Sequence, residues 1–116
     1  MTIILHDVNG LQIGQRSEDG YINLTGIAKA SNKKLNDYLR LNSTKALVNE
    51  LSMNTGISIP DLVSTKKGKP VDLQGTWGHP QVAISCGHWS SPQLAILVTR
   101  WVIDLDVSIK LAIRIP

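Results

Sequence analysis

The chain opens with short segments of mixed apolar and polar residues, of which Thr2 to Val8 is strand-like and stops at Asn9-Gly10. That dipeptide tolerates the positive φ angles of a two-residue hairpin turn, so a second strand is predicted over Leu11–Arg16, with Leu11 and Ile13 on one face. Glu18-Asp19-Gly20 makes another turn, and Tyr21-Ile22-Asn23-Leu24 reads as a third strand. The simplest arrangement is an antiparallel β-meander.

From Thr25 the period changes. Its hydroxyl is placed to cap a short helix over Gly26–Ala30. Ser31-Asn32 interrupts that helix and is expected to cap a second one through Lys33–Leu39, whose apolar side is Leu35, Tyr38 and Leu39. Asn42-Ser43 is a further capping pair before a third helix over Thr44–Leu51, with Leu47, Val48 and Leu51 inward. Three short helices with tight polar junctions suit helix-turn-helix-like packing. Asn54 to Pro60 reads as a loop. Leu62-Val63-Ser64-Thr65 and Val71-Asp72-Leu73 flank Lys66-Lys67-Gly68-Lys69-Pro70, which predicts an exposed hairpin with a positive tip, and Gly75-Thr76-Trp77 can extend its sheet.

Pro80 suits the first position of a helix to about Trp89, where its missing amide hydrogen costs nothing. Ser90-Ser91-Pro92 repeats that start. The helix after it carries Leu94, Leu97, Val98, Trp101, Val102 and Leu105 at helical spacing, the clearest periodic signal in the chain, and this stripe is expected to face the core. Val107 to Ile115 alternates too loosely to assign. The elements together predict one α+β domain over residues 1–116. It has an N-terminal antiparallel β-meander, helix-turn-helix-like short helices, a basic β-hairpin wing and two C-terminal amphipathic helices.

A chain of 116 residues supports one hydrophobic core rather than two. No apolar run approaches the roughly 20 residues that span a bilayer, and Met1–Asp7 lacks the positive start of a signal peptide. No membrane association and a cytoplasmic location are therefore expected. The single cysteine, Cys86, fits a reducing compartment and, within Val82-Ala83-Ile84-Ser85-Cys86, is expected to be a buried small hydrophobe.

Enzyme chemistry finds little to work with. His6, His79 and His88 are scattered, and no pair has the i, i+4 spacing of a helical zinc site. Cys86 and His88 fall short of four zinc ligands. Asp104 and Asp106, two apart on a helix, point to different faces, which does not suit a shared cation. Neither a phosphate-binding Gly-x4-Gly-Lys-Ser/Thr loop nor a Gly-x-Ser-x-Gly elbow occurs. No catalytic residue, metal, cofactor or small-molecule substrate is expected.

Charge points elsewhere. Between Thr25 and Pro70 eight basic residues (Lys29, Lys33, Lys34, Arg40, Lys45, Lys66, Lys67, Lys69) face three acids (Asp37, Glu50, Asp61), whereas the remainder is net acidic. Such asymmetry suits a polyanionic partner on one side of the fold, or else a solvated lysine surface. Asn36, Asn42 and Ser43 interleave with the helical cations, and short polar side chains of this kind fix register on a phosphate backbone. Asn36 and Arg40, one helical turn apart, have the chemistry to read adenine and guanine in a major groove. The alternatives are a surface amide for Asn36, and for Arg40 a phosphate contact or a salt bridge with Asp37. Lys66, Lys67 and Lys69 have the character of a wing lying along a neighbouring groove. Trp77, Trp89 and Trp101 lie in the less basic part of the chain, so core packing is a better assignment for them than base stacking.

The same residues carry a family pattern. Gly20-Tyr21-Ile22-Asn23-Leu24-Thr25-Gly26-Ile27-Ala28-Lys29-Ala30, Leu35-Asn36-Asp37-Tyr38-Leu39-Arg40-Leu41-Asn42-Ser43-Thr44, Gly75-Thr76-Trp77-Gly78-His79-Pro80 and Trp89-Ser90-Ser91-Pro92-Gln93-Leu94-Ala95 resemble, in order, four blocks of the KilA-N domain. The resemblance is strongest over residues 21–104. It implies an α+β fold akin to the fungal APSES domains and a DNA-binding role in proteins of phages, bacteria and large DNA viruses. By that analogy the Leu35–Thr44 block and the lysine hairpin face DNA, and the tryptophan blocks are scaffold. The family commonly has aspartate at the position of Gly26, so a less stable first helix is expected, and Gly87 within a helix costs about 1 kcal/mol relative to alanine. The expected function is binding of double-stranded DNA, in regulation or host interference, with self-association left open. The alternative is a protein-interaction module on the same scaffold.

Overall fold

The computed structural model describes residues 2–68 and 73–114, with burial described as far as Asp106. Among these residues five strands form one antiparallel sheet: β1 Ile3–Val8, β2 Leu11–Arg16, β3 Ile22–Asn23, β4 Val63–Lys66 and β5 Gly75–Gly78, in the order β1-β2-β3-β5-β4. The helices are α1 Leu24–Ala30, α2 Leu35–Leu39, α3 Asn42–Thr55, α4 Ile59–Leu62, α5 Pro80–Ser90 and α6 Pro92–Arg114. The α+β class and the meander are as expected. Asn9 and Gly10, at φ 52° and 86°, close the β1–β2 turn with Val8 opposite Leu11.

On β2 the two apolar residues placed on one face differ in burial. Ile13 is buried beneath α1, whereas Leu11, beside the turn and beyond the helical cover, is exposed. Gln15 takes the inner position instead and is bonded to the His6 ring at 2.8 Å.

The helix starts also differ from the predicted caps. Leu24 belongs to α1, and its N-cap is Asn23, whose Oδ1 accepts from the Gly26 amide at 3.3 Å. The Thr25 hydroxyl accepts instead from the Thr76 amide of β5 at 3.1 Å. Ser31 bonds back to the carbonyls of Ile27 and Ala28, closing α1 rather than opening α2. α2 starts at Leu35 without a side-chain cap, and Asn42 and Ser43 lie inside the first turn of α3 rather than ahead of it. The predicted loop over Asn54–Pro60 holds the last turn of α3 and the start of α4, which has Pro60 in its first turn.

β4 pairs with Gly75–Gly78, placing Lys66 opposite Gly75. Gly75–Gly78 is bound on its other side to β3, with Ile22 opposite Gly78 and Asn23 opposite Trp77, a non-local pairing that outweighs local alternation. Lys69, Pro70, Val71 and Asp72 lie outside the described residues.

α5 and α6 begin at their prolines as expected. His79 Nδ1 caps the Gln81 amide at 3.1 Å and Ser91 Oγ the Leu94 amide at 3.1 Å. Leu94 and Val98 are fully buried with Val82, Ala83 and Cys86 of α5. Residues 107–114, which the pattern left unassigned, continue α6. No helix is long and apolar enough, among the described residues, to cross a membrane. Trp77 is only 1% exposed and Trp89 and Trp101 pack against the core, so all three are scaffold. Burial pushes the Cys86 thiol up to about 12, which keeps it protonated and unreactive.

Candidate nucleic-acid interface

Every candidate that falls within the described residues (Lys29, Lys33, Lys34, Asn36, Arg40, Asn42, Ser43, Lys45, Lys66 and Lys67) is exposed, and Lys69 lies outside them. These side chains are carried on a short scaffold that holds its elements to the core. Tyr38 anchors α2: the side chain is buried, its hydroxyl is 2.8 Å from Ser85 Oγ of α5, and burial raises its pKa. Val48 and Leu51 anchor α3 in the same core, so the opposite faces of both helices are left to solvent.

Two depressions bracket the β4–β5 hairpin. A cleft of about 360 Å³ runs between α1 and the hairpin base and is lined by Lys29, Gln12, Asn23, Thr25, Gln74 and Gly75. A groove of about 420 Å³ at the foot of β4 is lined by Lys45 with Leu39, Val48, Ile59, Pro60 and Val63. The structure thus brings Lys29 to one flank of the hairpin and Lys45 to its foot. Gln12 and Gln74 were missed by sequence reasoning. Neither lies near Lys29 in sequence, and only the β1–β2 hairpin and the β5 register bring them to it.

Among the described residues, two of the candidate cations are engaged within the protein. Lys33 Nζ donates to the Trp89 carbonyl at 2.9 Å and lies 4.9 Å from that ring's centre, which turns it towards the end of α5. Arg40 pairs with Asp37 at 2.8 Å, both side chains being well exposed, so the salt-bridge reading of Arg40 is the one observed. The Arg40 amide still bonds to the Asn36 carbonyl, keeping Asn36 and Arg40 one turn apart although α2 proper ends at Leu39. At α3, the first turn has no acidic residue and no side-chain cap, and Asn42 and Ser43 lie within it. A helix start of this kind presents partial positive charge suited to an anion.

Among the described residues, no three His, Cys, Asp or Glu side chains are grouped to hold a metal ion. His79 is committed to its capping role: burial lowers its pKa, with Asp19 opposing the shift, and its ring meets Tyr21 edge-on at 5.7 Å.

The described residues thus form an α+β domain with helix-borne and hairpin-borne cations around the β4–β5 edge of its sheet. The chain matches the KilA-N domain over residues 5–108 and belongs to that family, whose members are generally DNA-binding domains of phage and viral proteins. It is also similar to a KilA-N domain-containing protein of Acanthamoeba polyphaga mimivirus, with 31% identity over 68 residues. That match covers 58% of this chain and 15% of the viral protein, so the chain corresponds to a small part of that relative. No solved structure gives a significant match.

Proposed function

We propose that this domain binds double-stranded DNA through the exposed face of α1, α2 and the start of α3, together with the β4–β5 hairpin. The observation that carries the reading is the placement of Lys29, Lys45, Lys66 and Lys67, from three separate elements, around one hairpin. Cations spread in this way neutralise phosphates at separate points along the backbone. Asn36 and Arg40 are the candidates for base contact, and Lys34, Asn42 and Ser43 for the phosphate backbone. The biological setting we infer is regulation or host interference by a mobile element, in the compartment that holds its DNA, without catalysis by this domain.

Binding measured by mobility shift across a salt series tests this. With about six of the basic residues on phosphates, the log–log slope is near −5. A slope shallower than about −2 overturns a phosphate-dominated interface. It would favour instead a protein-interaction module, for which the apolar groove beside Lys45, with Ile59 exposed, is the surface to examine.

A further inference from the structure

Beyond its backbone pairing with β3, the hairpin that carries Lys66 and Lys67 is tied to α1 by a side chain with two jobs. Asn23 Oδ1 caps α1 through the Gly26 amide, while Asn23 Nδ2 donates to the Gln74 carbonyl at 3.0 Å, at the foot of β5. The Gln74 side-chain amide in turn donates to the carbonyl of Gly68, next to the lysines. Gly75 sits against the same asparagine at φ +122°: a Cβ there would lie 2.7 Å from Asn23 Oδ1, so only glycine lets the strand come this close. Thr25 adds a second tie by accepting from the Thr76 amide, and beside β5 the Trp77 indole N–H donates to the Leu73 carbonyl at 2.9 Å. Gly68, Leu73 and Gln74, which lie between β4 and β5, are therefore each held by a hydrogen bond.

We propose that Asn23 is a positioning residue: it latches the hairpin to α1 and so sets where Lys66 and Lys67 stand relative to Lys29 on the DNA. An N-cap needs only an acceptor, and serine supplies one about as well as asparagine. The second arm of Asn23 is surplus to capping and is aimed at the hairpin, which is what a latch requires. This inference rests on the proposed DNA-binding function for its consequence, but not for the latch itself.

The test uses Asn23→Ser, which keeps the cap acceptor and removes the reach to Gln74, compared with the wild type and with a Lys66→Ala/Lys67→Ala chain. The first readout is trypsin cleavage after Lys66 and Lys67, alongside Tm. Asn23→Ser is expected to be cut several-fold faster at these sites with Tm nearly unchanged. Unaltered cleavage overturns the latch, and so does a rise in cleavage matched at all sites by a large fall in Tm. The second readout is duplex binding. Asn23→Ser is expected to lose most of the affinity that the lysine pair supplies, to make the salt slope shallower by up to about 2, and to leave Lys66→Ala/Lys67→Ala with little further effect when combined. Full, additive lysine effects in the Asn23→Ser background overturn the positioning role. A wild-type chain without affinity for any duplex overturns the proposed function instead, and the cleavage readout alone then decides the latch.

Discussion

Arg40 and Asp37 show how a residue's chemistry depends on a near neighbour. Their bridge is exposed on both sides, so it contributes about 0–1 kcal/mol to folding. Its larger effect falls on any anion approaching Arg40, since Asp37 offsets the guanidinium charge. Asp37→Asn should therefore leave Tm almost unchanged and tighten binding to all duplexes by about fivefold at low salt, corresponding to roughly 1 kcal/mol between charges a few ångströms apart in water. Weaker binding in a mobility shift would mean that Asp37 holds Arg40 in its working geometry. His79 is the residue with a pH signature. Its neutral Nδ1 caps α5, and burial sets its folded pKa below the unfolded value near 6.5. The unfolded chain thus takes the proton first. The cap's stabilisation is complete above about pH 6.5 and declines as pH falls through the folded value. His79→Asn, which keeps an acceptor, should show a flatter Tm between pH 7.5 and 5 than the wild type, and parallel profiles would remove His79 from the acid response.

Among the elements, α5 carries a glycine that helix propensity alone would reject. Gly87 lies where α5 meets α6, and a Cβ there would stand 2.9 Å from the Leu94 carbonyl oxygen and 3.2 Å from Val98 Cβ. Alanine would gain about 1 kcal/mol of helix propensity. It would also push apart two helices that carry the buried Val82, Cys86, Leu94 and Val98, at a cost of about 1–3 kcal/mol. The packing cost wins, so Gly87→Ala should lower stability in denaturant unfolding, and a stabilised variant would show that the helices have room to part. The same principle revises Gly26. An added Cβ there would lie 3.3 Å from an Ile13 methylene, and α1 gets its capping from Asn23. The first helix is kept by a cap outside itself and by contact with β2.

For the whole molecule, α6 clamps the sheet from the side of β1 and β2. Trp101 lies parallel to His6 with ring centres 4.1 Å apart, and its carbonyl accepts from the Gln15 amide at 3.4 Å. It is partly buried rather than enclosed, so Trp101→Ala should cost about 2–4 kcal/mol, below the full range for a buried aromatic. Against a total of about 5–15 kcal/mol this lowers Tm sharply. The partners of the stack, His6 and Gln15, are not among the candidate DNA residues, so folded Trp101→Ala protein should keep its duplex affinity. A variant that folds normally but loses DNA would move the tryptophans from scaffold to binding surface.

What the sequence determined by itself was whatever a few adjacent residues can enforce. Asn9-Gly10 makes its turn, Pro80 and Ser91-Pro92 start their helices, and the Leu94–Val102 stripe turns to the core, because each depends on local φ/ψ preference or on one helix's periodicity. The eight cations were legible as a group because charge is additive along a chain. Tertiary structure decided the matters that depend on distant partners. Asn23 rather than Thr25 caps α1 because Thr25 is taken by Thr76, 51 residues away. Gly75–Gly78 takes its place in the sheet because β3 and β4 each offer it a pairing edge. Lys33 turns to Trp89, and Gln12 and Gln74 come to Lys29, for the same reason. A hydrogen-bonding group takes the partner that folding brings within about 3 Å, and proximity along the chain does not say which partner that is.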